Sequence, residues 1–236
     1  MLKYLVFDVD NTLIDFDMSI ITAEKAIANN FDIKFSEEYF TRAFEMINTA
    51  WMDYKMFQTN DNDTQKDWHH KYREFLLYHY KNMVKEFGIN HNPHDMMRMH
   101  FKILSETHYT MEKETLDMII QLSKNYCIVL ATNSVNEIRG RFDIFMPYTY
   151  KAFVSDEMKA IKPSREFFEK VLKGLECSPD ECLMIGDSKT DDVKGAKNSG
   201  FYTCWYRRGK DNVQCEYADY SIDSITELPS LLEKIS

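Results

Sequence analysis

Asp8-Val9-Asp10-Asn11-Thr12 places two carboxylates two residues apart, directly after the apolar run Tyr4–Phe7. While a chain stays extended, residues i and i+2 share a face, so both acids can address one ligand. Carboxylates that close together repel unless a proton or a divalent cation stands between them. One of the pair can attack phosphorus to give an aspartyl-phosphate, and the other can protonate the leaving oxygen and later deprotonate the attacking water. Asp8 suits the nucleophile's role and Asp10 that of the acid/base. The same residue types also build an ordinary turn that caps a following helix, so the pentapeptide alone leaves both readings open.

A second acidic group, Gly186-Asp187-Ser188-Lys189-Thr190-Asp191-Asp192, follows another apolar run. Oxygen ligands from Asp187 and Asp8, completed by water and a substrate phosphate, are what Mg²⁺ prefers. Asp191 or Asp192 would then support the ligands from behind, and helix capping by acids at an N-terminus explains the same residues without a metal. Thr132-Asn133-Ser134 can offer a hydroxyl and backbone N–H groups to phosphoryl oxygens, or can be a plain cap. In Lys162-Pro163 the proline restricts the lysine backbone to extended conformations, which would aim its ammonium at developing charge. A lysine before proline is equally an ordinary solvated side chain.

The elements that must position these residues are short apolar strands ending abruptly in a polar residue: Tyr4–Phe7, 127–131 and Cys182–Gly186. Near-continuous Val/Ile/Leu runs belong to sheets covered on both faces, and helical patterns at 112–124, Arg165–Leu175 and 191–198 lie between them. The expected fold is α/β, a doubly wound, mainly parallel Rossmann-like sheet with an inserted helical-bundle cap. Ligands gather outside the carboxyl ends of such strands, where Asp8, Thr132 and Asp187 all fall. Between Asp17 and about Thr110 the chain turns to helix-friendly stretches, with helices expected at 19–29, 36–57, 64–87 and 93–104. The domains read as 1–16 with 110–236 for the core and 17–109 for the cap. A weak edge strand is expected at 217–222, then a helix opened by the capping-box pattern Ser224-Ile225-Thr226-Glu227.

Composition narrows the partners. The chain has 236 residues and a formal net charge of −9, with no basic stripe to offset it, which argues against binding nucleic-acid duplexes. No run of apolar residues is long enough for a membrane span, and the amino terminus reads as a strand rather than a leader, so a cytoplasmic location is expected. The five cysteines, Cys127, Cys177, Cys182, Cys204 and Cys215, are an odd number suited to free thiols, without a zinc-binding spacing. His69-His70 point apart on a helix and do not chelate, and the segment from Asp61 has Lys66 where a Ca²⁺ loop needs glycine.

Taken in order, Asp8-x-Asp10-x-Thr12, Thr132-Asn133, Lys162-Pro163 and Gly186-Asp187-Ser188 with Asp192 resemble the haloacid dehalogenase superfamily, whose helical cap also follows the first motif. The resemblance implies that Asp8 is the nucleophile, Asp10 the acid/base, Thr132, Asn133 and Lys162 the phosphate contacts, and Asp8, Asp187 and the Asp10 carbonyl the Mg²⁺ ligands. The second aspartate of the first motif favours phosphoryl transfer over dehalogenation. Phe7 to Asp17, Trp51-Met52-Asp53-Tyr54 and Cys204-Trp205 are similar to housecleaning nucleoside 5′-monophosphatases, the pyrimidine nucleotidases.

The expected function is Mg²⁺-dependent hydrolysis of a small phosphorylated metabolite, foremost a nucleoside 5′-monophosphate, with Trp51 or Tyr54 able to stack a base. A sugar-phosphate or phosphoglycolate-like phosphatase is the alternative. A noncatalytic phosphate-binding or interaction protein, and a receiver-like signalling domain, are the rivals from other classes. Oligomeric state is not legible in the sequence.

Overall fold

The structure is a computed structural model that describes residues 1–34, 36–209 and 214–235. The chain runs β1 (Tyr4–Phe7), α1 (Phe16–Asn30), α2 (Glu37–Asp53), α3 (Asn62–Phe87), α4 (Pro93–Glu106), α5 (Thr115–Leu122), β2 (Cys127–Thr132), β3 (Thr149–Val154), α6 (Ser155–Met158), α7 (Arg165–Leu175), β4 (Cys182–Gly186), α8 (Gly195–Asn198), β5 (Tyr202–Tyr206), β6 (Tyr220–Ile222) and α9 (Leu228–Ile235). It divides into two compact units. Met1–Asp15, His108–Asn136 and Phe142–Ser236 form the first, and Phe16–Thr107 with Glu137–Arg141 form the second.

The first unit holds one sheet in the order β3-β2-β1-β4-β5-β6, every neighbouring pair parallel. Alternation along the strands divides the core. Leu5, Phe7, Ile128, Leu130, Leu183 and Ile185 face Met118 and Ile119 of α5 and Leu228 and Leu232 of α9. Tyr4, Val6, Val129, Ala131 and Met184 face Phe167, Phe168 and Val171 of α7. Helices on both sides make the sheet doubly wound. Chain order turns back on itself between β1 and β4, and a crevice forms at the carboxyl ends of strands at such a switch point.

Two strands escaped the sequence reading. β3 starts with half-buried Thr149 and exposed Tyr150 and Lys151, so it lacks an apolar run, and β5 is a short Tyr-Thr-Cys-Trp-Tyr segment. The helix expected at 191–198 opens instead as a π-helical turn, Lys189–Lys194, before α8. The capping box at Ser224 is present, though it starts a 3₁₀ turn, Ile225–Glu227, that leads into α9. The edge strand is confined to Tyr220–Ile222.

In the second unit, α2, α3 and α4 start where short polar side chains accept from backbone N–H groups: Ser36 from Tyr39, Asp61 from Thr64 and Asn92 from His94. Gly88, at φ 60°, ends α3 in the left-handed region. Glu137–Arg141 belongs here rather than with the sheet, contrary to the boundary drawn from the sequence. Arg73 grips Glu137 with two bonds of 2.6 and 2.7 Å, and the Gly140 N–H donates to Ser105 Oγ at 3.1 Å. Buried Arg141 stacks its guanidinium 5.9 Å from the Phe16 ring centroid.

A buried polar cluster ties these helices together. The Tyr80 hydroxyl lies 2.8 Å from Glu24 Oε1 and 2.7 Å from His100 Nδ1, while His79 and His100 each place a nitrogen 3.6 Å from the same Glu24 oxygen. Their attraction, with that of the hydrogen bonds, outweighs burial and holds the Glu24 carboxyl below the usual range. Among the described residues, no helix is long and apolar enough to cross a membrane. All five cysteines are free thiols, Cys177 and Cys182 with sulfurs 3.5 Å apart.

Candidate active site

Asp8 follows β1 directly, and its N–H donates to Ile185 O of β4 at 2.9 Å, which prolongs the β1–β4 pairing to the carboxylate. The chain then folds tightly. Asn11 adopts a left-handed φ of 62°, and the Leu13 and Ile14 N–H groups both donate to Val9 O at 2.9 Å. Asn tolerates this conformation better than most residues because its short side chain bonds locally. The turn brings Thr12 back beside Asp8, so that its hydroxyl donates to Asp8 Oδ2 at 3.1 Å and accepts from the Asp187 N–H at 3.2 Å. Thr12 therefore joins the loops that follow β1 and β4.

Lys162 is 1% exposed, and its ammonium donates to Asp8 Oδ1 and Asp192 Oδ1, both at 2.6 Å. Burial alone would lower its pKa, but Asp192 and Asp8 more than reverse that, and the lysine stays charged. Its backbone is set by Asn133, whose amide donates to Lys162 O at 2.9 Å and accepts from Lys162 N at 2.8 Å. Asn133 was expected among the phosphate contacts. Its side-chain amide is engaged with the Lys162 backbone, which ties the loop after β2 to Lys162 and leaves its backbone N–H as the group that could face a phosphate. Thr132 is buried at the end of β2.

Asp8, Asp187 and Asp192 each offer a carboxylate oxygen within 4.8 Å of the others. Asp192 is fully buried in the turn after β4 and accepts from the Ser188 N–H at 3.0 Å. Burial, together with the nearby Asp8 and Asp187, pushes its pKa up against the pull of Lys162. Asp191, the other acid of the pair, is half-buried, with its N–H bonded to Ser188 Oγ. The structure thus singles out Asp192 as the acid that meets Lys162. Gly186 makes room for it, since a Cβ on that glycine would lie 2.2 Å from Asp192 Oδ2.

Three carboxylates against the Lys162 ammonium and the Arg208 guanidinium 3.5 Å from Asp187 leave an excess of about one negative charge when all are ionised, and hard oxygen donors with that excess fit a divalent cation such as Mg²⁺. Asp10 is half-buried and bridges to Ile14 within the tight turn.

Sequence reasoning gave Trp205 no role at this edge beyond the resemblance and overlooked Arg208. The Trp205 indole donates to Asp187 O at 3.0 Å, and Arg208 places its guanidinium 3.5 Å from the Asp187 carboxylate. Their signal was the aromatic and basic run Trp205-Tyr206-Arg207-Arg208, which gains meaning once β5 is recognised as a strand ending at the same edge. Trp51 and Tyr54 lie in the second unit. Trp51 packs edge-on against Tyr72 and Phe75, with centroids 6.3 and 5.3 Å apart, and the Tyr54 ring is 5.8 Å from Tyr78.

The profile of the haloacid dehalogenase-like hydrolases matches residues 2–200. Pyrimidine 5′-nucleotidase PynA of Streptococcus pneumoniae is 26% identical across 99% of this chain and 98% of its own length. Glyceraldehyde 3-phosphate phosphatase of Pyrococcus furiosus is also 26% identical, across 98% of this chain and 92% of its own. Among solved structures, the magnesium-bound HAD-hydrolase YfnB of Bacillus subtilis superimposes with a TM-score of 0.79 at 23% identity, covering 98% of both chains.

Proposed function

The chain belongs to the haloacid dehalogenase-like hydrolase family and is a phosphoric monoester hydrolase, and from that premise we propose that it works through an aspartyl-phosphate on Asp8 with Mg²⁺ as cofactor. The observation that carries the proposal is the Lys162 ammonium bridging Asp8 and Asp192 inside a set of three converging carboxylates. Asp8, Asp187 and the Asp10 carbonyl would hold the metal. When bound, the metal neutralises carboxylate and phosphoryl charge so that the two can approach.

The remaining steps fall to the chain itself. An Asp8 oxygen attacks phosphorus while Asp10 gives its proton to the departing oxygen of the ester. Asp10 then takes a proton from the water that attacks the aspartyl-phosphate, and inorganic phosphate and free Asp8 are released. Lys162 and Thr132 stabilise the phosphoryl oxygens as charge builds there. Asn133 and Thr12 act as positioning residues, the first through Lys162 and the second through Asp8 and Asp187.

Small phosphorylated metabolites are the substrates, and within them we favour nucleoside 5′-monophosphates. The relative PynA supports this choice, with the helical unit serving as the cap that selects substrate and Trp51 or Tyr54 stacking the base. A sugar-phosphate substrate is the second reading, supported by the equally similar glyceraldehyde 3-phosphate phosphatase. Mg²⁺-dependent phosphate release from a panel of nucleotides and sugar phosphates tests both. Asp8→Asn should abolish turnover by at least about 10³-fold, since the nucleophile is lost. Retention of turnover by that variant would refute the covalent route, and the preferred substrate decides between the two classes.

A further inference from the structure

Arg208 lies two residues beyond the end of β5, at the carboxyl edge of the sheet where Asp8 and Asp187 also emerge. Its guanidinium is 3.5 Å from Asp187 Oδ2, and only 23% of its side chain is exposed. Its backbone has a φ of 54°, a left-handed conformation that an arginine adopts at some cost in strain. A plain surface ion pair would explain the contact, but such pairs contribute little and give no reason for a strained residue to be drawn over an acidic cluster. The division of labour is also informative, because Lys162 serves Asp8 and Asp192 while Arg208 faces Asp187.

We propose that Arg208 is an exchangeable counterion of the site, paired with Asp187 while no divalent cation is bound and turned onto the phosphoryl group of the substrate once the cation takes Asp187. This rests on the reading of the acidic cluster as a Mg²⁺-dependent phosphoryl-transfer site. A cation on Asp187 both satisfies that carboxylate and repels the guanidinium. The planar fork of arginine matches two phosphoryl oxygens at once, a geometry a lysine ammonium does not reproduce. Arg208 would then set metal affinity and substrate affinity in opposite directions.

The test measures Mg²⁺ binding to the full chain by calorimetry without substrate, alongside steady-state kinetics on the preferred phosphomonoester. Arg208→Asn removes the charge with a residue that tolerates the left-handed backbone. It should bind Mg²⁺ about fivefold more tightly, because a repelling charge near the metal is gone. Its KM should rise about tenfold with kcat little changed, because a charge-assisted bidentate contact is lost. Arg208→Lys should keep the wild-type Mg²⁺ affinity yet share most of the rise in KM. Arg165→Asn, which removes a charge from an exposed position, should change neither quantity.

Wild-type Mg²⁺ binding with an unchanged or weakened affinity in Arg208→Asn would overturn the proposal while leaving the phosphatase mechanism intact. So would an unchanged KM. Failure of the wild-type chain to bind Mg²⁺ at all would instead remove the reading of the site, and the Arg208 proposal with it.

Discussion

Replacing Gly186 by alanine should damage this protein far more than one added methyl suggests. The new Cβ would stand 2.2 Å from Asp192 Oδ2, 2.4 Å from its Cγ and 2.6 Å from its Cβ. Rotating the carboxylate cannot relieve a contact that reaches Cβ, so the turn carrying Asp192 must shift. Overpacking of this kind costs about 1–3 kcal/mol. The shift also strains the 2.6 Å bond from Lys162 and the 3.0 Å bond from Ser188. Losing one hydrogen bond to a buried charge costs about 1.5–3 kcal/mol.

Alanine in place of glycine otherwise stabilises by about 0.4–1 kcal/mol through the unfolded chain, which leaves a net loss of about 3 kcal/mol. For a chain of this length that lowers Tm by about 6–12 °C. Thermal unfolding followed by circular dichroism reads the stability, and hydrolysis of an activated aryl phosphate reads the site. Turnover should fall with stability, because Asp192 and Lys162 move together. Asp192→Gly removes the clashing atoms, so the double variant should be less damaged than the two single losses added together. A Gly186→Ala protein as stable and active as wild type, or a strictly additive double variant, would refute the packing argument.

The two neighbouring acids should separate cleanly. Asp192→Asn leaves the buried Lys162 facing an amide and should lower kcat about 10²-fold, as loss of a positioned electrostatic group does, whereas Asp191→Asn should stay within about twofold. Equal losses in steady-state assays would show that the cluster has been wrongly resolved. In the helical unit, the Glu24 carboxyl is held below its usual range when folded, so its stabilisation is present above its unfolded pKa of about 4.3 and lost as pH falls below it. Glu24→Gln should therefore melt at lower temperature than wild type at pH 7, by about 2 kcal/mol of stability for a broken buried network, and the gap should begin to narrow below about pH 5 and keep narrowing toward pH 3. A gap that stays constant would mean that folding does not depress the Glu24 pKa, and a gap that widens would mean that the folded state holds Glu24 neutral.

The acidic motifs themselves were legible without coordinates because their meaning is local. Asp8 and Asp187 each follow an apolar strand, and strand ends can be read from four or five consecutive residues. The helical insertion was equally plain, since its caps and breaks at Ser36, Asp61 and Gly88 are single-residue signals. β3 and β5 were missed because a short or half-exposed strand becomes a strand only when a neighbour pairs with it.

What the sequence alone supplied was the set of candidates: aspartates at 8, 10, 187, 191 and 192, Thr132 at the end of an apolar run and Lys162 before a proline. Which of two adjacent acids meets the lysine, and that Asn133 aligns Lys162 through its backbone, depended on contacts across 30 and 29 residues of chain. The attachment of Glu137–Arg141 to the helical unit and the approach of Arg208 to Asp187 were decided the same way. Side-chain direction over such separations is set by packing and by electrostatics in a buried environment, and neither is encoded in any short window of residues.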